Sequence, residues 1–101
     1  MAKGYWVANV DVFDPEAYKG YIRANGAAFA KYGARFLVRS GKHIVAEGSS
    51  AARQVVIEFK DYETALACFH SPEYQAAMAV RTNASQGNLV IVEGYDGPQP
   101  G

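Results

Sequence analysis

The chain has 101 residues, room for one domain with a single core but not for two. Apolar residues make up 50% and charged residues 20%, a globular balance that excludes intrinsic disorder. Ten basic residues against ten acidic ones leave no net charge, which argues against nucleic acid as the main partner and removes the repulsion that keeps copies apart. Cys68 is the one cysteine, so no internal disulfide and no cysteine-based metal cluster is expected, and a reducing, cytoplasmic setting fits. The opening Met-Ala-Lys-Gly-Tyr-Trp runs straight into a strand pattern. It shows neither a signal peptide nor a membrane-spanning run, and no membrane partner is expected.

Gly4–Val12 alternates, with Trp6, Ala8, Val10 and Val12 on one face and Tyr5, Val7, Asn9 and Asp11 on the other, the signature of a strand. Asp14-Pro15-Glu16 starts a helix: a capping carboxylate, a preset φ and a negative charge at the positive end of the dipole. That helix should run to about Tyr32, with Tyr18, Ile22, Asn25, Phe29 and Tyr32 on one stripe, and stop at Gly33. Two short strand patterns, Ala34–Arg39 and His43–Glu47, flank Ser40-Gly41-Lys42 and predict a hairpin or one long bent strand. Arg53–Phe59 is the densest β-branched run and reads as a central strand, with Val55, Ile57 and Phe59 facing helices and Gln54, Val56 and Glu58 facing away. Asp61 caps a second helix carrying Tyr62, Leu66 and Phe69 and ending at His70. Ser71-Pro72-Glu73 starts a third, running to about Ala84 with Tyr74, Met78 and Arg81 on one stripe. Gly87 turns into a last strand, Asn88–Gly94. Residues 1–95 form one domain on this reading, and 96–101 form a frayed, flexible tail.

The order β-α-β-β-α-β with right-handed crossovers defines an α+β, ferredoxin-like sandwich. Its four-stranded antiparallel sheet has the first and third strands in the middle and helices on one face only. The open face carries Val7, Val56 and at least one of Val90 or Ile91, and a two-fold dimer packed sheet on sheet would bury it.

Four stretches resemble a known family: Lys3–Val12 with Asp14–Tyr18; Ala30–Arg39; Arg53–Phe59; and Ser71-Pro-Glu-Tyr-Gln75 followed by Leu89–Gly94. They are similar to the domain-of-unknown-function family numbered 1330, within the dimeric α/β-barrel superfamily. The resemblance implies a ferredoxin-like protomer and a dimer that closes a barrel between two sheets, and it carries no catalytic residues over. Relatives across that superfamily include cofactor-independent monooxygenases, muconolactone isomerases and haem-binding enzymes, a likeness of fold alone.

Asn25 and Arg81 are polar groups on apolar stripes. Together they suit an anion or carbonyl site, Arg81 binding an acidic group and Asn25 orienting it, or else a structural hydrogen bond or ion pair. Tyr18, Tyr21, Tyr32, Tyr62 and Tyr74 form a phenol-rich helical layer, fit for an aromatic ligand or for an ordinary core edge. His43 follows a turn and either sits on the surface or reaches a pocket mouth. Two isolated histidines, His43 and His70, make no metal site. The candidate ligand pocket is therefore Tyr18, Asn25, His43, Tyr74 and Arg81, with Val7, Val56 and Glu58 at the candidate dimer interface. Glu58 needs a partner such as an arginine there, or acts as a base if its pKa is raised. With no phosphate loop, triad or paired carboxylates, the expected function is a dimeric, metal-free and cofactor-free domain that binds a small metabolite between helices and sheet. The alternative is a cofactor-independent enzyme, of isomerase or monooxygenase type, acting on a small aromatic or carboxylated substrate.

Overall fold

The computed structural model describes residues 2–101. Strand β1 (Gly4–Val12) alternates as its sequence demands: Trp6 and Val10 are buried, while Val7 is exposed. Asp14 then caps helix α1 (Pro15–Lys31), its carboxylate accepting the Ala17 amide at 3.2 Å, and Gly33 beyond the helix takes a left-handed φ of 67°. Strands β2 (Arg35–Arg39) and β3 (Arg53–Phe59) follow. Asp61 caps α2 (Tyr62–His70) through the Thr64 amide at 2.7 Å, and Ser71 caps α3 (Pro72–Thr82) through the Tyr74 amide at 3.1 Å. Strand β4 (Ser85–Glu93) closes the fold.

The sheet order is β2-β3-β1-β4, every pairing antiparallel, with β1 and β3 central. This is the ferredoxin-like α+β sandwich, with two helices, α2 and α3, between β3 and β4. The core gathers around Trp6. Its ring meets Tyr74 at 4.8 Å, Phe59 at 5.3 Å and Phe29 at 5.4 Å between centroids, so strand, sheet neighbour and two helices converge on one side chain. Its indole N–H donates to the Ala65 carbonyl at 2.9 Å, satisfying the one polar atom that burial would otherwise strand.

Three boundaries depart from the sequence pattern. Residues 43–47 form no strand. The alternation of His43–Glu47 is real, but a strand exists only through a partner, and this segment has none within the protomer. The 41–52 connection is held only near its ends: Ser40 N–H donates to Gln54 O at 2.7 Å, Ala51 N–H to Asn9 Oδ1 at 3.1 Å and Ala52 N–H to Asp11 Oδ1 at 2.8 Å. Helix α3 ends at Thr82, and β4 begins at Ser85, three residues before the expected Asn88. Gly87 lies inside that strand, opposite Val10. A Cβ there would overlap the Asn9 carbonyl and come within 2.8 Å of Val10 Cα, so the glycine serves a close backbone approach and not a turn.

The face away from the helices carries Val7, Val56, Val90 and Val92, with Val7 directly opposite both Val56 and Val90. Of the two residues left open by the pattern, Val90 faces outward and Ile91 packs on the core. Glu58 lies on this open face with its carboxylate 4.0 Å from Arg35 and 3.5 Å from the Tyr5 hydroxyl. No helix among the described residues is long and apolar enough to cross a membrane.

Candidate functional site

The site lies where the start of α1, the end of α3 and the helix-facing side of the sheet meet. Tyr18 and Tyr21 come from the first turns of α1, on the stripe that also buries Asn25. Tyr74 and Arg81 come from α3 and lie on its inner side. Trp6, Ala8 and Val10 of β1, Val55 and Ile57 of β3, and Leu89 of β4 form an apolar floor. Together they enclose a cavity of about 40 Å³. A second cavity, of about 30 Å³, lies beside it and is lined by Asn25, Phe29, Phe36, Arg39 and Arg53. Tyr18, Tyr21, Val55 and Ile57 line both, so these side chains are the wall between them. At these sizes each cavity admits water-sized guests.

The polar groups of the wall are neutral phenols set against fixed positive charge. The Tyr21 and Tyr74 hydroxyls are 2.8 Å apart and share one hydrogen bond. Burial pushes the Tyr21 phenol far above its ordinary pKa, and the neighbouring Tyr74 pushes the same way, against a hydrogen bond from Asn25 and the charge of Arg81. Burial also raises Tyr74 and Tyr18. Arg81 and the Tyr21 hydrogen bond oppose the shift at Tyr74, and Arg53 is the main opposing group at Tyr18. The guanidinium of Arg53 stands 5.7 Å from the Tyr18 ring centroid and that of Arg81 5.7 Å from the Tyr21 ring centroid. In both arginines Nε is buried and finds no hydrogen-bond partner among the described residues. The ion pairs among those residues are Lys19–Glu16, Lys31–Glu73 and Arg35–Glu58, so no carboxylate pairs with Arg53 or Arg81.

Of the five residues singled out from sequence, Tyr18, Tyr74 and Arg81 share one cavity. Asn25 lines the adjoining one and reaches the first through Tyr21. His43 does not join them: it is exposed in the 41–52 connection, its Nδ1 3.1 Å from Gly41 O. Arg53 and Tyr21 complete the arrangement. Period-two counting back from Val55 and Ile57 points Arg53 inward, and Tyr21 stands three residues after Tyr18 and four before Asn25, so each had a signal in the sequence. Cys68 is buried behind the site, its thiol pushed up to about 12 chiefly by burial, and it is no nucleophile at neutral pH. Among the described residues, no group of three or more histidine, cysteine or acidic side chains could hold a metal ion. What the arrangement offers is a pair of guanidinium groups and three phenols over an apolar floor. The chemistry such groups can supply is hydrogen bonding to an acidic or carbonyl oxygen.

A four-stranded antiparallel sheet with helices on one face and an apolar open face on the other defines a ferredoxin-like α+β sandwich. The chain belongs to the family described as Domain of unknown function (DUF1330), whose model matches residues 3–95. No curated protein matches the chain. Among solved structures it is similar to the RPA0582 protein of unknown function from Rhodopseudomonas palustris, with a TM-score of 0.74, 15% identity and coverage of 95% of this chain and 85% of that one. It is also similar to SnoaB, a cofactor-independent oxygenase from Streptomyces nogalater, with a TM-score of 0.63, 14% identity and coverage of 99% and 97%. A dimeric ferredoxin-like protein of unknown function from Thermobifida fusca gives a TM-score of 0.58, 17% identity and coverage of 91% and 89%. At these identities the likeness is one of fold.

Proposed function

We propose that this chain is a homodimeric binding protein for a small organic acid, taken up between helices and sheet. The observation that carries the reading is the pair Arg53 and Arg81: two guanidinium groups with buried, unpartnered Nε atoms flanking one tyrosine wall, with no carboxylate to neutralise them. A buried donor without an acceptor costs about 1–3 kcal/mol, and a carboxylate bound in either cavity relieves the arginine that lines it. The two cavities, about 40 and 30 Å³, are small beside the roughly 300–1,000 Å³ of a metabolite pocket. Uptake of a metabolite therefore requires the wall of Tyr18, Tyr21, Val55 and Ile57 that the cavities share to give way. The apolar open sheet face supports the homodimer, and the single buried thiol supports a reducing, cytoplasmic setting.

A second reading, a cofactor-independent enzyme of the isomerase or monooxygenase type, is favoured by the buried Tyr21–Tyr74 pair. A neutral phenol held 2.8 Å from another and beside Arg81 is placed to donate a hydrogen bond to an enolate oxygen whose charge the arginine offsets.

The test is a thermal-shift panel of aromatic and aliphatic monocarboxylates, each beside its uncharged amide. Acids are expected to raise the melting temperature and amides to leave it alone. At a ligand concentration 100 times Kd the stabilisation is about 2.7 kcal/mol, roughly 10 °C or more for a domain of this size. Equal responses to acid and amide would remove the charge-based reading. Turnover of a bound acid would favour the enzyme.

A further inference from the structure

The 41–52 connection holds the most exposed large hydrophobic side chain among the described residues, Ile44. Every residue from 41 to 50 is exposed. Ile44 is 87% exposed and Val45 46%, although His43–Glu47 has the alternation of a half-buried strand. The segment is nevertheless positioned. Its return limb is tied to Asn9 and Asp11 and to the Gln54 side chain, all on the open sheet face or its edge. The arm therefore springs from the same face that carries Val7, Val56, Val90 and Val92.

The dimensions of the protomer point the same way. Its radius of gyration is 14.2 Å, against about 12.7 Å for a compact domain of this length. Its accessible surface is 6430 Å², against roughly 5,600 Å² for a folded monomer of this mass. Part of that surplus lies in the 41–50 segment, every residue of which is exposed.

We infer that residues 41–50 are a clasp that lies on the second copy of the chain, seating Ile44 and Val45 against it beyond the sheet-to-sheet contact. The inference rests on the sheet-face homodimer proposed above and adds a second, separable part to its interface. The strand-like segment 43–47 finds in the partner the neighbour it lacks at home, and two-fold symmetry supplies the contact twice.

The experiment measures the dimer dissociation constant by native mass spectrometry over a dilution series for the wild-type chain, Ile44→Ser, Ile44→Ser with Val45→Ser, and Val56→Asp. Amide exchange of residues 43–47 is followed on the wild type above and below its dissociation constant. Ile44 is exposed and stands outside the core, so Ile44→Ser is expected to fold as the wild type does and to weaken the dimer at least 100-fold, because each dimer loses two buried isoleucines. The amides of 43–47 are expected to slow only when the dimer forms. A wild-type dimer that weakens with Val56→Asp but not with either serine variant, and whose 43–47 amides exchange equally fast in both states, overturns the clasp and leaves the sheet interface standing. A chain monomeric at every concentration overturns both. Weakening by Ile44→Ser with no effect of Val56→Asp keeps the clasp and removes the sheet face from the interface.

Discussion

Replacing Arg81 by methionine separates a ligand-binding arginine from a structural one. A buried arginine that neutralises a carboxylate costs about 3–5 kcal/mol when removed, because the partner charge is left unpaired. Arg81 has no such partner among the described residues. What Arg81→Met loses is its interaction with the Tyr21 ring at 5.7 Å, about 0.5–1 kcal/mol, and its contribution to holding the Tyr74 phenol, about 0.5–1.5 kcal/mol. What it gains is relief of the stranded Nε, about 1–3 kcal/mol, with a flexible apolar side chain filling the space. These effects nearly cancel, and the net change in stability is expected within about 1 kcal/mol of zero. Urea unfolding followed by the fluorescence of Trp6, the only tryptophan and 4.8 Å from Tyr74, measures it directly. Calorimetry with a carboxylate that stabilises the wild type measures the other half: loss of a charge-assisted hydrogen bond of about 1.5–3 kcal/mol weakens binding roughly 10- to 150-fold. Destabilisation of about 3 kcal/mol or more with binding intact would refute the reasoning, since it would mean that Arg81 is a structural ion-pair partner and not a ligand-binding group.

Three further outcomes are expected. The phenols of Tyr18, Tyr21 and Tyr74 have folded pKa values raised above the ordinary 10, so the stability they contribute is full below pH 10 and falls as pH rises toward their folded values. Absorbance at the phenolate band should therefore show these three ionising together with loss of far-UV circular dichroism, and ionisation of all three in an intact fold would contradict their burial. Gly87→Ala forces a Cβ against the β1 backbone and should cost about 1–3 kcal/mol in thermal unfolding, whereas a glycine serving only as a turn would tolerate alanine with little change. Val56→Asp places a charge in the middle of the open face and should give monomer at concentrations where the wild type is dimeric, and an unchanged dimer in sedimentation would move the interface elsewhere.

Much of the architecture is written in local chemistry. Asp14 with Pro15, Asp61, and Ser71 with Pro72 each cap a helix where the residue types demand it, and the alternation of β1 and β3 picks the correct face for Trp6 and Ile57. Two local signals misled for opposite reasons. His43–Glu47 has a strand pattern, but pairing is a tertiary event and no neighbour exists within the protomer. Gly87 has turn chemistry, but the need for bare backbone came from Asn9 and Val10, nearly eighty residues away in sequence. The site was partly legible. A polar residue on an apolar stripe marked Asn25 and Arg81, and the tyrosine layer marked the wall. Arg53 shares the inward register of Val55 and Ile57, a signal weakened by its place at the first position of its strand. His43 was drawn in only by its position after a turn, and its loop leads away from the cavities.

The shared hydrogen bond between Tyr21 and Tyr74 has two equivalent directions, since either oxygen can be the donor. When Tyr21 donates, the Tyr74 proton is free to turn elsewhere, and when Tyr74 donates, the Tyr21 proton is. Rotating two O–H bonds, with every heavy atom still, thus moves the free proton from one phenol to the other. The lining is ambidextrous. For the proposed acid it would offer a donor from either phenol, a freedom that suits a class of acids better than a single one.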